Sequence, residues 1–454
     1  MLRDNKHNMA IRYKNVLLNI TNDLFGMKTS LLIVTILFSI NGFAQFSAIG
    51  SDTLSSKVCN GLLHIEYTKK FSASNKSITS NNNAQKNIIK NIYSEIQSDF
   101  LEKILRNNFV CNKKLSEYLQ GLLSEILTKN NIDPATYRIL LSRDSDMNAY
   151  NTGEGTIVIN YGLFIDVDNE DELVFVISHE IGHQYLGHIK NDIEAFAKLS
   201  TSEAIIKKTK EIQNHKYGKA TLAGDLLKNI SYQNYYHRRM REFQADSIGF
   251  VFYKNTGRNP QAAIQILSKL KDSDVEKDSL TIADYKAMFN KNGYKIKTNY
   301  FEEEASLFNQ YDNEKRFEID SLRSHPACQT RMDMIAKQLH DKRSEGFMNS
   351  TFFSEIKASS PIQNLYNLYY SEKYGLSLYE ALKQYKRNDK DLSLKEIIRL
   401  NLGKIRNARL SYTINRYVPR VDNKENTDSL NRFIRLLNNI SISEFETIIN
   451  NINL

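Results

Sequence analysis

The sequence predicts an α+β fold that is predominantly helical, with a small sheet near the middle of the chain and an all-helical region at its C-terminal end. Three observations point there. The 454 residues include no Trp and only 5 Pro, while Tyr and Phe together number 47, a balance that suits helices better than a turn-rich sandwich. Apolar residues recur at helical spacing on both sides of residues 137–160. Inside that window two β-like runs, Tyr137 to Leu141 and Thr156 to Asn160, stand beside Gly153 and Gly155 as turn residues. At 41% apolar residues the chain can bury a real core, which excludes gross disorder.

The first element is a leader. Around Met27 a lysine, an apolar run from Leu31 to Ile40 and the small residues Gly42 and Ala44 have the layout of a secretory signal, so residues 1–44 are expected to direct export to the periplasm or beyond. An uncleaved anchor over Leu31 to Ile49, which would keep the protein beside a membrane, is the alternative. The first 26 residues read either as an extended basic leader or as an upstream start. The leader holds five Lys/Arg and two Asp/Glu, so the formal charge of +9 falls to +6 without it. That balance, with no dense basic stripe and no finger or aromatic platform, gives no reason to expect a nucleic-acid partner. In an oxidising compartment Cys59 and Cys111 can pair, leaving Cys328. No two cysteines have zinc-ligand spacing, so a metal would have to use His and carboxylate.

Residues 45–85 are rich in Ser and Asn and read as a linker or loosely held arm. Two helices are expected over 86–130, from the spacing of Ile89, Ile92, Ile96 and Phe100, then Leu115, Leu119, Leu122 and Ile126. After the two strands, Asn169 with Glu172 three residues on marks a helix start, and acids crowd its first turn. A second long helix is expected from about Tyr235 to Lys254 and a third from Asn259, with Pro260 in its first turn, to about Leu270. The charged stretch 272–323 reads as an insertion with short helices. From Pro361 onward helical spacing resumes, which gives a domain over 86–345 followed by a C-terminal helical region, 346–454.

The expected chemistry lies on the helix that starts after Asn169. In His179-Glu180-Ile181-Gly182-His183 the two histidines are four apart, so both imidazoles leave one helix face and can chelate one ion. Glu180 sits one step round, where a carboxylate can reach a water beside the ion without becoming a ligand, as a hydrolytic base must. For the third ligand His188 is too far along: nine residues after His179 it would point away on a continuous helix. Downstream, Glu242 and Asp246 again share one helical face. Glu242 can complete a His, His, Glu set, and Asp246 can accept a ring N–H from a ligand histidine. Ala245 and Gly249 on that stripe, with Gly182 and Gly187 near the other, would let two helices come close enough to share an ion.

Taken together, these residues resemble the gluzincin zinc endopeptidases that include the CAAX prenyl proteases, the membrane heat-shock protease HtpX and soluble exported relatives. Four segments carry the resemblance: Asn148-Ala149-Tyr150 through Gly162-Leu163, the HEIGH helix with His188, the EFQAD helix preceded by Arg239, and Ser324-His325-Pro326 with Arg331 behind it. The resemblance implies one zinc ion per chain and protein or peptide substrates of the exported or envelope compartment, with Thr156 to Asn160 as the edge strand along which a peptide lies. It also implies that His325 stands near the metal, as oxyanion donor or as an occupying ligand, while Arg331 pairs with a carboxylate. A protein that keeps the metal as a structural tie and works as a chaperone through its C-terminal helices would fit the same motifs.

Overall fold

The computed structural model describes residues 46–273, 275–302, 328–339 and 346–452, except the side chains of 220–221, 223–225 and 227–236. The leader and His325 lie outside the described residues. Residues from Ala48 onward pack as one unit. Its opening corrects the expectation of a loose arm over 45–85. Helix α1, Leu54–Lys76, is capped by Thr53, whose hydroxyl accepts from the Ser56 N–H, and it buries Leu63, Tyr67 and Phe71 at intervals of four. Leu54, Val58, Leu62 and Ile65 stay exposed on other faces, so the helix has apolar residues all round and no legible stripe. A disulfide between Cys59 and Cys111 ties it down, and α2, Asn83–Leu105, packs against it.

The sheet is built from β1, Arg138–Ser142, β2, Ala149–Asn151, and β3, Thr156–Asn160, in the spatial order β1-β3-β2. β1 runs parallel to β3, and β2 antiparallel to it with Tyr150 opposite Val158. This overturns one expectation. All five residues of β3 are buried and the strand is central, so it is not an edge; β1 and β2 are the outer strands. Tyr67, Phe71, Phe100 and Phe109 close one sheet face around Val158, and the Tyr67 hydroxyl bonds Thr156 Oγ1 at 2.8 Å. The other face carries the main core, Ile157 and Ile159 with Leu119, Leu123 and Ile126 of α3, Lys113–Lys129. Gly155, at φ +80°, lies so close to Thr136 that a Cβ would sit 2.0 Å from its carbonyl oxygen, hence the glycine entering β3.

After a short turn of helix, α4, Leu163–Asp166, comes α5, Glu170–Tyr185. The Asn169 side chain accepts from the Glu172 N–H at 2.9 Å, as its position suggested, and Glu172 turns back to the Asp168 N–H. Chain reversal at Gly187 leads into α6, His188–Ser200, then α7, Glu203–Asn214, and the 36-residue α8, Lys219–Lys254, longer by four turns than its apolar spacing indicated. α9, Gln261–Lys271, follows Pro260. α5 and α8 make the broadest helix–helix contact among the described residues.

Residues 275–302 carry α10, Ile282–Phe289, and a turn of 3-10 helix at Thr298–Phe301. They pack against the C-terminal region: Tyr285 stacks on Phe433, and Ser429 bonds the backbone of Leu280. Behind α11, Cys328–Ala336, the C-terminal region is wholly helical, with α12, Thr351–Tyr370, α13, Tyr374–Arg387, α14, Leu392–Leu410, α15, Asp428–Asn439, and α16, Ile442–Ile452. It joins the sheet through polar groups. Buried Arg143, at the end of β1, donates to the carbonyls of Ile49 and Gly50 and to Asn367 Oδ1 of α12. Burial presses its guanidinium down to about 10, and these oxygens replace the water it has lost.

Candidate metal centre

The crossing of α5 and α8 is possible because each helix presents a glycine to the other. A Cβ on Gly249 would sit 2.8 Å from the Cα of His179, and one on Gly182 would sit 2.9 Å from the carbonyl oxygen of Ala245. Backbones this close let short side chains from both helices meet. Gly187, expected at the same seam, serves a different purpose. With φ at +63° it ends α5, a conformation other residues adopt at a cost.

At the crossing the structure brings together His179, His183 and Glu242, whose donor atoms all lie within 4.8 Å of one another. The two Nε2 atoms are 3.0 Å apart, Glu242 Oε1 is 3.3 Å from His183 Nε2, and Glu242 Oε2 is 3.6 Å from His179 Nε2. Glu180 is beside them, with Asn151 of β2 donating to its Oε2 at 3.4 Å. Behind His179 lies Asp246, fully buried, its Oδ1 2.9 Å from Nδ1 at an oblique angle to the ring N–H. Arg331 of α11 grips the same carboxylate from the other side, Nε to Oδ2 at 2.6 Å and Nη2 to Oδ1 at 2.8 Å. Burial alone would raise the Asp246 pKa, but Arg331 and His179 outweigh it and hold the carboxyl below the ordinary range.

His188 is where spacing misled. Because the helix breaks at Gly187, His188 folds back, is buried, and places its Nδ1 2.9 Å from Nδ1 of His183. It is not one of the three grouped residues, but it touches one of them, His183. Burial and the neighbouring His183 push its imidazole down to about 4, so it is neutral at physiological pH. For His183 burial works against the charged ring, yet Glu242, Glu180 and Asp246 together raise its pKa above the ordinary value. The signal available in the sequence was Gly187 itself, since a glycine before His188 is a helix-ending residue.

The donor chemistry suits a cation: two imidazole nitrogens and a carboxylate oxygen, donor types that a zinc-like ion takes, converge within 4.8 Å of one another. The site opens into a cleft of about 380 Å³, floored by His179, Glu180 and Glu242 and bordered by β2, with Phe175, Ile266 and Leu267 on its apolar wall. The profile of peptidase family M48 matches residues 113–339, half of the chain, from α3 through α11.

The chain belongs to peptidase family M48. Within that family, relatives include a putative beta-barrel assembly-enhancing protease of Vibrio cholerae, 27% identical over 39% of this chain and 37% of that protein. The beta-barrel assembly-enhancing protease of Escherichia coli K12 is 27% identical over 35% of this chain and 33% of its own length, and the metalloprotease YcaL of the same organism 27% over 32% and 55%. The chain thus spans about a third to just over half of these relatives. A metallopeptidase family implies a metal, and the His, His, Glu group of this M48 chain is one that could hold it.

Proposed function

We propose that this M48 chain is a zinc-dependent endopeptidase acting on exported or envelope polypeptides. The observation that carries the reading is the convergence of His179, His183 and Glu242 in the floor of a cleft that runs along the free edge of β2. His179, His183 and Glu242 would hold one zinc ion, which when bound supplies Lewis-acid polarisation of the scissile carbonyl and acidifies a water molecule. Glu180 then takes the water proton and passes it to the leaving amine, with Asn151 orienting its carboxylate. Asp246 keeps His179 with its proton on Nδ1, and Arg331 holds Asp246 in place. His325 remains the proposed oxyanion donor or occluding ligand that the resemblance implies.

The substrate would lie along β2. In its pairing with β3, Asn148, Tyr150 and Thr152 take the hydrogen-bonded positions, which leaves the main-chain groups of Ala149 and Asn151 directed away from the sheet. A peptide added there pairs through its backbone, and the apolar wall of Phe175, Ile266 and Leu267 favours a bulky apolar side chain next to the scissile bond. The disulfide Cys59–Cys111 supports an oxidising compartment. Among the described residues no helix is long and apolar enough to cross a membrane. The relatives named for enhancing beta-barrel assembly support envelope proteins as the substrate class.

The test uses the full chain loaded with zinc and unfolded casein, with and without chelator. Cleavage is expected for the wild type, with a loss of roughly 100-fold or more in Glu180→Gln, the scale of a general base's contribution. Undiminished turnover by Glu180→Gln would remove Glu180 as the base. Absence of cleavage together with suppressed aggregation would favour a chaperone.

A further inference from the structure

We infer that His188 and Gln244 form a positioning relay that sets the tautomer and orientation of His183, doing for this ring what Asp246 does for His179. The inference rests on the metal-site reading above and adds two residues to it. Gln244 Oε1 lies 3.1 Å from His188 Nε2, and an amide oxygen can only accept, so the His188 proton sits on Nε2. That leaves a lone pair on His188 Nδ1, 2.9 Å from Nδ1 of His183, which must therefore carry the proton of that contact. With Nδ1 of His183 protonated, its Nε2 turns a lone pair toward Nε2 of His179 and Oε1 of Glu242. The two hydrogen bonds, His183 Nδ1–H to His188 and His188 Nε2–H to Gln244, run in one direction, from the metal group to the surface: Gln244 is exposed, while His188 is buried. With the amide turned the other way, the same chain would run in reverse and aim an N–H at the ion.

The two rings are thus held by different chemistry. His179 backs onto an anion that Arg331 neutralises, His183 onto a neutral imidazole. A carboxylate behind each ring would make the ligands more basic but would bury a second negative charge at a site that already contains Glu242, Glu180 and Asp246. His188 fixes the ring without adding charge. The helix break at Gly187 brings it there, since on an unbroken α5 it would point elsewhere.

The experiment measures zinc affinity by chelator competition on the full chain, alongside the thermal midpoint of the metal-free protein. His188→Phe keeps the ring volume and loses the acceptor; zinc binding is expected to weaken about 10- to 100-fold. His188→Gln, which offers an amide oxygen, should recover most of that loss. At the exposed end, Gln244→Leu should weaken zinc severalfold, while Gln244→Glu, an acceptor in either orientation, should bind as tightly as wild type or tighter. A cobalt-substituted protein should show a changed ligand-field band in His188→Phe and not in Gln244→Glu. Equal zinc affinity in wild type, His188→Phe and Gln244→Leu overturns the relay, as does a loss in His188→Phe that the metal-free midpoint reproduces in full. Failure of the wild type to take up one zinc ion overturns the metal-site reading itself.

Discussion

Arg331 and Asp246 are among the most enclosed charges in the molecule, 3% and 0% exposed, and each depends on the other. Replacing Arg331 with Met strands a carboxylate in the core, and a loss of about 3–5 kcal/mol in urea unfolding is expected. The double change Asp246→Asn, Arg331→Met should recover much of it, because the buried charge is gone; a double variant no better than the single would show that packing, not charge, sets the cost. The pair also has a defined acid limit. The Asp246 carboxyl is held below its ordinary range in the folded chain, so its contribution is complete above about pH 4 and is lost as pH falls through the lowered value. Acid titration of the Asp246→Asn protein should lack that phase. Glu242→Ala should lose zinc under dialysis; a variant retaining one ion per chain would remove Glu242 from the ligand group.

At the scale of elements, α5 and α8 depend on having no side chain where they cross. Gly249→Ala would push a methyl against the His179 backbone, and a cost of about 1–3 kcal/mol with weakened zinc binding is expected. Normal stability and affinity in that variant would mean the helices can part without consequence. What the sequence revealed follows the same physics. His179, His183, Glu242 and the small residues between them were legible because helical spacing is a strict geometric rule, and Asn169 announced its helix by a cap. α1 was hidden, since its buried Leu63, Tyr67 and Phe71 are matched by exposed Leu54, Val58 and Leu62, and only tertiary contact distinguishes the sides. The edge role that the resemblance gave Thr156 to Asn160 failed because a strand's residues do not reveal its neighbours, and β3 is central. The three residues of β2 are too few to show a period, although they border the cleft.

The whole molecule is tied across long stretches of sequence. The disulfide closes a separation of 52 residues between α1 and the segment leading into α3, and reducing it should lower stability by about 2–4 kcal/mol, read from the denaturation midpoint with and without reductant. An unchanged midpoint would mean that Tyr67 and Phe71 hold α1 unaided. Arg258 clasps Glu170 and Asp171 at the start of α5 together with Glu125 of α3, while Ser350, the cap of α12, bonds Glu170. Helix α5 is therefore anchored at its start to the C-terminal region. A second hollow, lined by Leu368, Leu376 and Tyr379 of that region, shares Met147, Asn148 and Leu270 with the cleft. Lengthening a peptide substrate past Asn148 should lower KM, and a series with constant KM would deny the C-terminal helices a part in binding. An open strand edge is ordinarily a hazard, since it invites another copy of itself and starts fibrous aggregates. β2 offers three residues only, sunk at the rim of a hollow, which is room for a single extended visitor and too little to template a growing stack.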